Sequence, residues 1–311
     1  MVGLRWIRGR TGAIRIGMPV QIPFTDRIPL VTRTRVYWLT LLAMIAFAGN
    51  SLLCRQALTN TNIDPASFTL IRIVSGAITL WWTVRIGRGG HHVAGSWLSA
   101  LVLFGYAAGF SFAYVSLSPG IGALLLIGAV QATMIGYGFS AGERLGWWQT
   151  AGLLLAMGGL VGLLLPGLSA PPLQGAALML GAGLAWGVYS LRGKAAGDPA
   201  AATAGNFLRA VPLAFGLSVA TFPWSSVDRW GIAYAIISGA LTSGVGYTIW
   251  YAALRGLNAT TAATVQLSAP VLAAVGGIVF LSEDITTRLL VSSLAILGGI
   301  AMVMLLKNRS D

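Results

Sequence analysis

Charge is scarce in this chain: Asp, Glu, Lys and Arg together make up 9% of its 311 residues, against roughly 25% in an ordinary soluble domain. A single cysteine, Cys54, excludes an intrachain disulfide and any all-cysteine metal site. The two histidines, His91 and His92, stand side by side in a glycine-rich stretch with no Asp or Glu at ligand spacing. No metal site, catalytic centre or cofactor is therefore expected. Acids are rarer than bases, eight against twenty, and all eight (Asp26, Asp64, Glu143, Asp198, Asp228, Glu283, Asp284 and Asp311) fall between or at the ends of apolar runs.

What the chain has in abundance is apolar surface, 56% of its residues, more than one core can bury. Lipid must take the remainder, so an all-α integral membrane protein is expected. The net charge of +12 invites a nucleic-acid reading. A nucleic-acid binder gathers its bases into one patch or stripe, whereas here they are parcelled out between the apolar runs. The partners expected are a lipid bilayer and a small-molecule substrate. Nothing calls for nucleic acid or an obligate protein partner.

From Val36 onward the apolar runs are about 20 residues long, the length that crosses a hydrocarbon core of ~30 Å. Ten transmembrane helices are expected at 36–57, 65–86, 97–117, 121–141, 147–166, 173–194, 201–222, 231–253, 259–281 and 287–306, separated by breakers such as Asp64-Pro65, Gly89-Gly90, Pro171-Pro172 and Asp198-Pro199. Residues 1–35, with seven arginines and no apolar run of signal-peptide length, read as a basic cytoplasmic tail. With the N-terminus inside, the cytoplasmic face receives fifteen basic residues and the outer face only Arg55, Arg229 and Arg288. That bias puts both termini in the cytoplasm, and a multi-pass protein of an inner (plasma) membrane is expected.

The chain also repeats itself. Gly142-Glu143-Arg144-Leu145 precedes a run containing Gly158-Gly159, and Ser282-Glu283-Asp284-Ile285 precedes one containing Gly298-Gly299 at the same interval. Leu70-Ile71-Arg72 is echoed by Phe207-Leu208-Arg209, Tyr114-Val115-Ser116-Leu117 by Tyr251-Ala252-Ala253-Leu254, and Ser51-Leu52 by Ser190-Leu191. The halves are 36–166 and 173–307. Five runs in each is an odd number, so the second half must enter the membrane the opposite way round, as two inverted five-helix repeats. Inverted halves can pack in two ways of similar energy, one open to each side, which is the arrangement of many secondary transporters.

The ordered set of these features over 36–307 resembles the drug/metabolite transporter superfamily in its two-repeat, EamA-type branch. It comprises Arg72 and Arg209 early in the second run of each half, the Glu143 and Glu283 turns, the glycine pairs, and Pro270 in Gln266-Leu267-Ser268-Ala269-Pro270. Val130 stands where the second half has Pro270, so the two halves need not break symmetrically. The resemblance implies export of amino acids or related metabolites, most like the bacterial amino-acid exporters, the aromatic ones among them. The alternatives are efflux of drugs or toxic cations by the same fold, and a membrane-embedded enzyme. The first wants a membrane-embedded acid and the second a nucleophile–base pair or metal cluster, and the sequence offers none of these. Gly181-Ala182-Gly183 lacks the strand–helix setting of a phosphate loop.

Polar residues inside apolar runs are costly and mark candidates. Asn50, Gln131, Asn206 and Gln266 are the amides, and Tyr106, Tyr137, Trp186, Tyr189, Tyr247 and Trp250 the aromatic residues nearest them. Together they suit a small zwitterion with an apolar side chain. Pro270, lacking an N–H, is expected to release the Gln266 carbonyl and break or gate its helix. Arg72 and Arg209 are the charges that lie well inside runs; each is near enough to its helix N-terminus to snorkel to the nearer surface, or else faces the pathway and attracts carboxylates. With no mid-membrane Asp, Glu or His to carry a proton, facilitated diffusion or exchange is expected. Trp81, Trp82, Trp97, Trp147, Trp148, Trp224 and Trp230 read as interfacial belt residues.

Overall fold

The computed structural model describes residues 30–87, 94–117, 119–164, 172–281 and 286–305. Each expected run overlaps helix among the described residues. The order is α1 (Leu30–Asn60), α2 (Pro65–Gly87), α3 (Trp97–Ala113), α4 (Pro119–Ser140), α5 (Trp147–Leu164), α6 (Leu173–Lys194), α7 (Pro199–Ala220), a 3-10 turn (Phe222–Trp224), α8 (Arg229–Ile237), a π-helical segment (Ser238–Val245), α9 (Gly246–Leu254), α10 (Ala259–Val265), α11 (Ser268–Leu281) and α12 (Thr287–Leu305). No strand occurs among the described residues.

The helix starts are written in short polar side chains. Ser96, Asp198, Asp228 and Asn258 each accept a backbone N–H from the first turn of α3, α7, α8 and α10, which satisfies donors that a helix N-terminus leaves orphaned. Asp64 does the same for α2 through Ala66 and Ser67. Burial pushes the Asp64 carboxyl up, but hydrogen bonds from Ser67, Ser226 and Ala66 outweigh it and hold the group below the ordinary carboxylate range.

Six helical stretches are long and apolar enough to cross a bilayer: Arg33–Asn60, Pro65–Ile86, Gly122–Ser140, Arg229–Leu254, Ala259–Gly276 and Thr287–Leu305. The remaining four runs differ for physical reasons. α3 and α5 are shorter, at 17 and 18 residues. α6 and α7 reach 22 residues, but their buried faces are largely Gly, Ala, Ser, Thr and Asn, which serve close packing better than lipid. The first helix starts at Leu30, six residues ahead of the expected span, and takes in Arg33 and Arg35 of the basic tail. Residues 1–29, His91, His92, Glu283 and Asp284 lie outside the described residues.

The surface is apolar and the interior holds the polar groups. Trp148, Leu154, Val279, Leu294 and all the expected belt tryptophans are exposed, while Asn50, Arg72, Gln131, Asn206 and Gln266 are buried. That inversion of the soluble pattern is what a lipid solvent selects.

Glycine sets the tightest crossings. A Cβ on Gly299 would lie 2.3 Å from the Gly152 carbonyl oxygen, and one on Gly159 within 3.0 Å of Ile296, so α5 and α12 meet backbone to backbone. Gly152 faces Met302 and Gly162 faces Ser292, which makes the pair antiparallel. α4 and α10 also cross antiparallel, with Gly138 against Thr260 and Met134 against Gln266. α2 and α8 run parallel, since Gly231 packs on Ile63 and Gly244 on Gly76.

Two helices depart from the regular form. Arg229–Leu254 is one continuous helix through its π-helical segment, a wider turn often found at functional sites. The run containing Pro270 is broken between Val265 and Ser268, whereas α4, with Val130 at the matching place, is unbroken. The break does not leave a free carbonyl as expected. Ser268 Oγ donates to the Val265 oxygen at 2.7 Å and the Ala269 N–H to the Gln266 oxygen at 3.1 Å. A 3-10-like turn thus takes up the groups that proline releases.

Candidate functional site

The polar residues meet near the middle of the bundle. Arg72 of α2, 2% exposed, donates from Nε to Ser243 Oγ at 2.9 Å and from Nη2 to the Tyr247 hydroxyl at 2.6 Å. Its Nη1 is buried without a hydrogen-bond partner. The four acids among the described residues are engaged at helix ends: Asp64 with Ser226 and the start of α2, Asp198 at the start of α7, Asp228 with Asn62 and Gly231, and Glu143 with Ala259 and Thr260. A guanidinium is therefore held in the interior by neutral partners, with donor capacity to spare.

The direction of the side chain corrects the snorkelling expectation. Arg72's backbone carbonyl lies against Gly239, while its guanidinium reaches Ser243 and Tyr247, one and two turns further along a helix that runs parallel to α2. The side chain points away from the nearer end of its helix, into the bundle. Arg209, its counterpart in the repeat, does not join it. Half-buried, Arg209 gives Nη1 to the carbonyls of Ala94 at 2.9 Å and Gly205 at 3.0 Å, and so ties the segment before α3 to α7.

Aromatic rings enclose the Arg72 head. The Tyr106 ring lies 5.5 Å from the guanidinium carbon, within cation–π range. Trp186 packs on Tyr106 at 4.9 Å, on Tyr247 at 4.7 Å and on Phe47 at 5.2 Å between centroids. Phe47 also touches Trp250 at 5.6 Å, and Phe207 touches Tyr247 at 5.9 Å. Six helices, α1, α2, α3, α6, α7 and α9, each bring at least one of these groups, so residues from both ends of the chain build the cluster. The repeat pairing of Ser51 with Ser190 makes Phe47 the match of Trp186. The rings rest on one another, and a solute entering between them has to part them.

Two amide networks flank the cage. Asn50 Oδ1 accepts from Ser238 at 2.8 Å, Thr242 at 3.3 Å and Ser243 at 3.5 Å. Three hydroxyls of the π-helical segment thereby converge on one amide, and Ser243 passes the connection to Arg72. On the other side Gln266 Oε1 takes the Trp186 indole N–H at 2.7 Å, and its Nε2 faces Ala262 O and Met134 Sδ. Gln131 donates to Ala263 O at 2.7 Å and leaves Oε1 buried and unpartnered.

Of the expected residues, Tyr106, Trp186, Tyr189, Tyr247, Trp250, Asn50, Gln131, Gln266 and Arg72 are buried in or beside this cluster. Three are not part of it. Tyr137 is 52% exposed on the outer surface of α4, because six residues turn it about 120° round that helix from Gln131. Asn206 is buried at one end of the bundle, where its Oδ1 accepts the Ser96 N–H at 3.0 Å. Arg209 is at the same end. The sequence reading passed over Phe47, Phe207, Ser238, Thr242 and Ser243. The first two look like lipid-facing aromatics in a linear apolar run, but the crowding of Ser238, Thr242 and Ser243 within six residues of an apolar span was a readable signal.

Residues 173–305 match the EamA-like transporter family. An uncharacterised protein of Pseudomonas aeruginosa is 55% identical over 271 residues, covering 87% of this chain and 94% of that one. The threonine/homoserine exporter RhtA of Escherichia coli (strain K12) is 38% identical over 134 residues, 41% of this chain and 44% of the exporter. A crystal structure of a protein only 18% identical superposes with a TM-score of 0.75 over 89% of this chain and 99% of that chain. At that identity the likeness speaks for the fold alone.

Proposed function

Because the chain belongs to the EamA-like transporter family of the drug/metabolite transporter superfamily, we propose that this membrane transporter exports neutral amino acids, aromatic or hydroxylated, by alternating access. The observation that carries the substrate class is Arg72: a buried guanidinium with a spare N–H, no carboxylate partner among the described residues, and a wall of aromatic rings. A substrate carboxylate would complete the guanidinium's hydrogen bonds, and the rings of Tyr106, Trp186 and Tyr247 would cover the apolar part. A lipophilic cation would meet the same guanidinium as a repulsion. Similarity to a threonine/homoserine exporter supports the same class.

The ten-span, inverted architecture is part of this reading. In support, the last helices of the two halves, α5 and α12, cross antiparallel, and so do α4 and α10. Two copies inserted in the same sense would bring equivalent helices together in parallel. The bias of basic residues puts both termini in the cytoplasm, so Asn60–Asp64 and Ser226–Gly231 form the outer end and Ala94–Ser99 and Arg192–Asp198 the inner end. The described acids cap helix ends rather than line the centre, which favours uniport or exchange over proton coupling.

Counterflow in proteoliposomes with a panel of labelled amino acids, with and without an imposed pH gradient, tests the proposal. Accumulation of neutral amino acids driven by the counter-gradient is expected. Absence of counterflow for every amino acid would overturn the substrate class, and uphill uptake driven by the pH gradient would overturn the coupling mode.

A further inference from the structure

A second polar space lies at the inner end, apart from the Arg72 cluster. It is a cleft of about 240 Å³ between the start of α3, the end of α6 and the start of α7, and its polar lining is Ser96, Ser99, Arg192, Asp198, Asn206 and Tyr251. Arg192 is fixed over it rather than free in solvent. Nε donates to Ser99 Oγ at 2.8 Å and Nη2 to Ser96 Oγ at 3.1 Å, leaving three of five N–H donors for a ligand. Ser96 is itself pinned by its backbone N–H to Asn206 and by its hydroxyl at the α3 N-terminus.

The surrounding charge is one-sided. Arg209 bonds the Ala94 carbonyl, and Arg255 bonds the carbonyls of Ala196 and Gly197, all three carbonyl residues being part of the cleft wall. Among the described residues three arginines thus stand around one acid, Asp198. Such a cleft concentrates carboxylates from the cytoplasm.

The floor leads inward. Tyr251 is buried and donates its hydroxyl to the Tyr189 carbonyl at 3.1 Å. The Tyr189 ring lies 5.0 Å from Tyr251, 5.8 Å from Trp186 and 6.3 Å from Tyr247. The Tyr189 hydroxyl is wholly buried and unpartnered. Two tyrosines whose rings touch at a tilt of 37° therefore lie between the cleft and the Arg72 cluster, and one of them carries a hydroxyl that makes no hydrogen bond.

We propose that this cleft is a separate loading station for the substrate on the cytoplasmic side. Arg192 takes the α-carboxylate there before Tyr189 and Tyr251 part and Arg72 receives it. The proposal rests on the amino-acid reading above and adds a second site to it.

Cysteine protection distinguishes the two sites. The chain's one cysteine, Cys54, is buried, so wild type serves as the unreactive blank, and Ala195→Cys places a thiol on the exposed cleft wall. In inside-out vesicles, L-threonine is expected to slow maleimide labelling of the Ala195→Cys protein severalfold, and threonine methyl ester, which lacks the carboxylate, is not. Protection is expected to survive Arg72→Gln and to disappear with Arg192→Gln. No protection by threonine, equal protection by the ester, or loss of protection with Arg72→Gln would each overturn the station. The ester comparison needs no Arg192 variant and stands even if that variant misfolds. Counterflow by wild type without protection would sink the station alone; protection without counterflow by any amino acid would sink the transport reading alone.

Discussion

Replacing Arg72 by glutamine removes the one charge at the centre of the cluster while keeping a side chain that can still donate to Ser243 or Tyr247. If a substrate carboxylate docks on this guanidinium, two unit charges 4 Å apart attract by about 4 kcal/mol at an effective dielectric of ~20. Desolvation of both groups offsets part of that, and truncating one partner of a buried, hydrogen-bonded charge pair costs roughly 2–5 kcal/mol. Taking about 3 kcal/mol, the variant should lose about a hundredfold in kcat/KM, at ~1.4 kcal/mol per factor of ten. The assay is initial-rate transport in proteoliposomes, threonine against threonine amide, which keeps the ammonium and side chain but lacks the carboxylate. Threonine should lose the full factor and the amide little. Stability should move the other way or not at all, because a buried charge short of partners is itself costly. Arg72→Gln should therefore melt no lower than wild type. Threonine transport within about threefold of wild type, about 0.6 kcal/mol, would refute the reasoning, as would an equal loss for the amide.

Gln266→Ala leaves the buried Trp186 indole N–H without its acceptor, a cost of about 1–3 kcal/mol. Transport should fall while the protein still inserts and elutes as a single species, and Gln266→Glu, which keeps an acceptor, should recover part of the rate. At the α5–α12 crossing the two glycines of each pair should behave oppositely. Gly299→Ala meets the Gly152 backbone and should cost about 1–3 kcal/mol in thermal stability, whereas Gly298→Ala has open space around its Cβ and should be neutral or gain up to about 1 kcal/mol. Asp64 has its folded pKa held below the ordinary value near ~3.9. Its contribution is therefore complete at neutral pH and disappears only as pH falls from that ordinary value through the lower folded one. Melting temperature should drop along that acid limb in wild type, and Asp64→Asn should flatten the limb and lower the plateau.

Much of the architecture could be read in one dimension because lipid imposes a simple rule. Each helix must carry about 20 mostly apolar residues and satisfy its own backbone, so apolar length and the breakers between runs placed the helices at 65–86, 173–194 and 287–306 within a few residues. Proline at 270 announced a break, since its ring cannot coexist with the preceding ladder. How the break is repaired, by Ser268 Oγ and the Ala269 N–H, depended on local geometry that spacing does not encode. The amides illustrate the same divide. Asn50 and Gln266 were marked as costly in lipid, and they are buried beside the cluster. Asn206 was marked by the same rule and is used instead to hold the Ser96 backbone. Tyr137 and Tyr106 look alike in sequence, and only the rotation of their helices separates an exposed ring from a buried one.

By itself the sequence determined the class of solvent, the helical content and the short set of polar residues worth examining, because these follow from composition and period. Tertiary structure alone decided which of the two related arginines serves the centre. Arg72 and Arg209 occupy matching places in their halves, yet one turns inward to Ser243 and Tyr247 and the other binds backbone at the bundle's end. The physical reason is that a side chain's direction is set by what neighbouring helices leave room for. For Arg72 that room is made by Gly239 packed on its backbone and by the π-helical turn beyond it, contacts between residues some 170 positions apart in the chain.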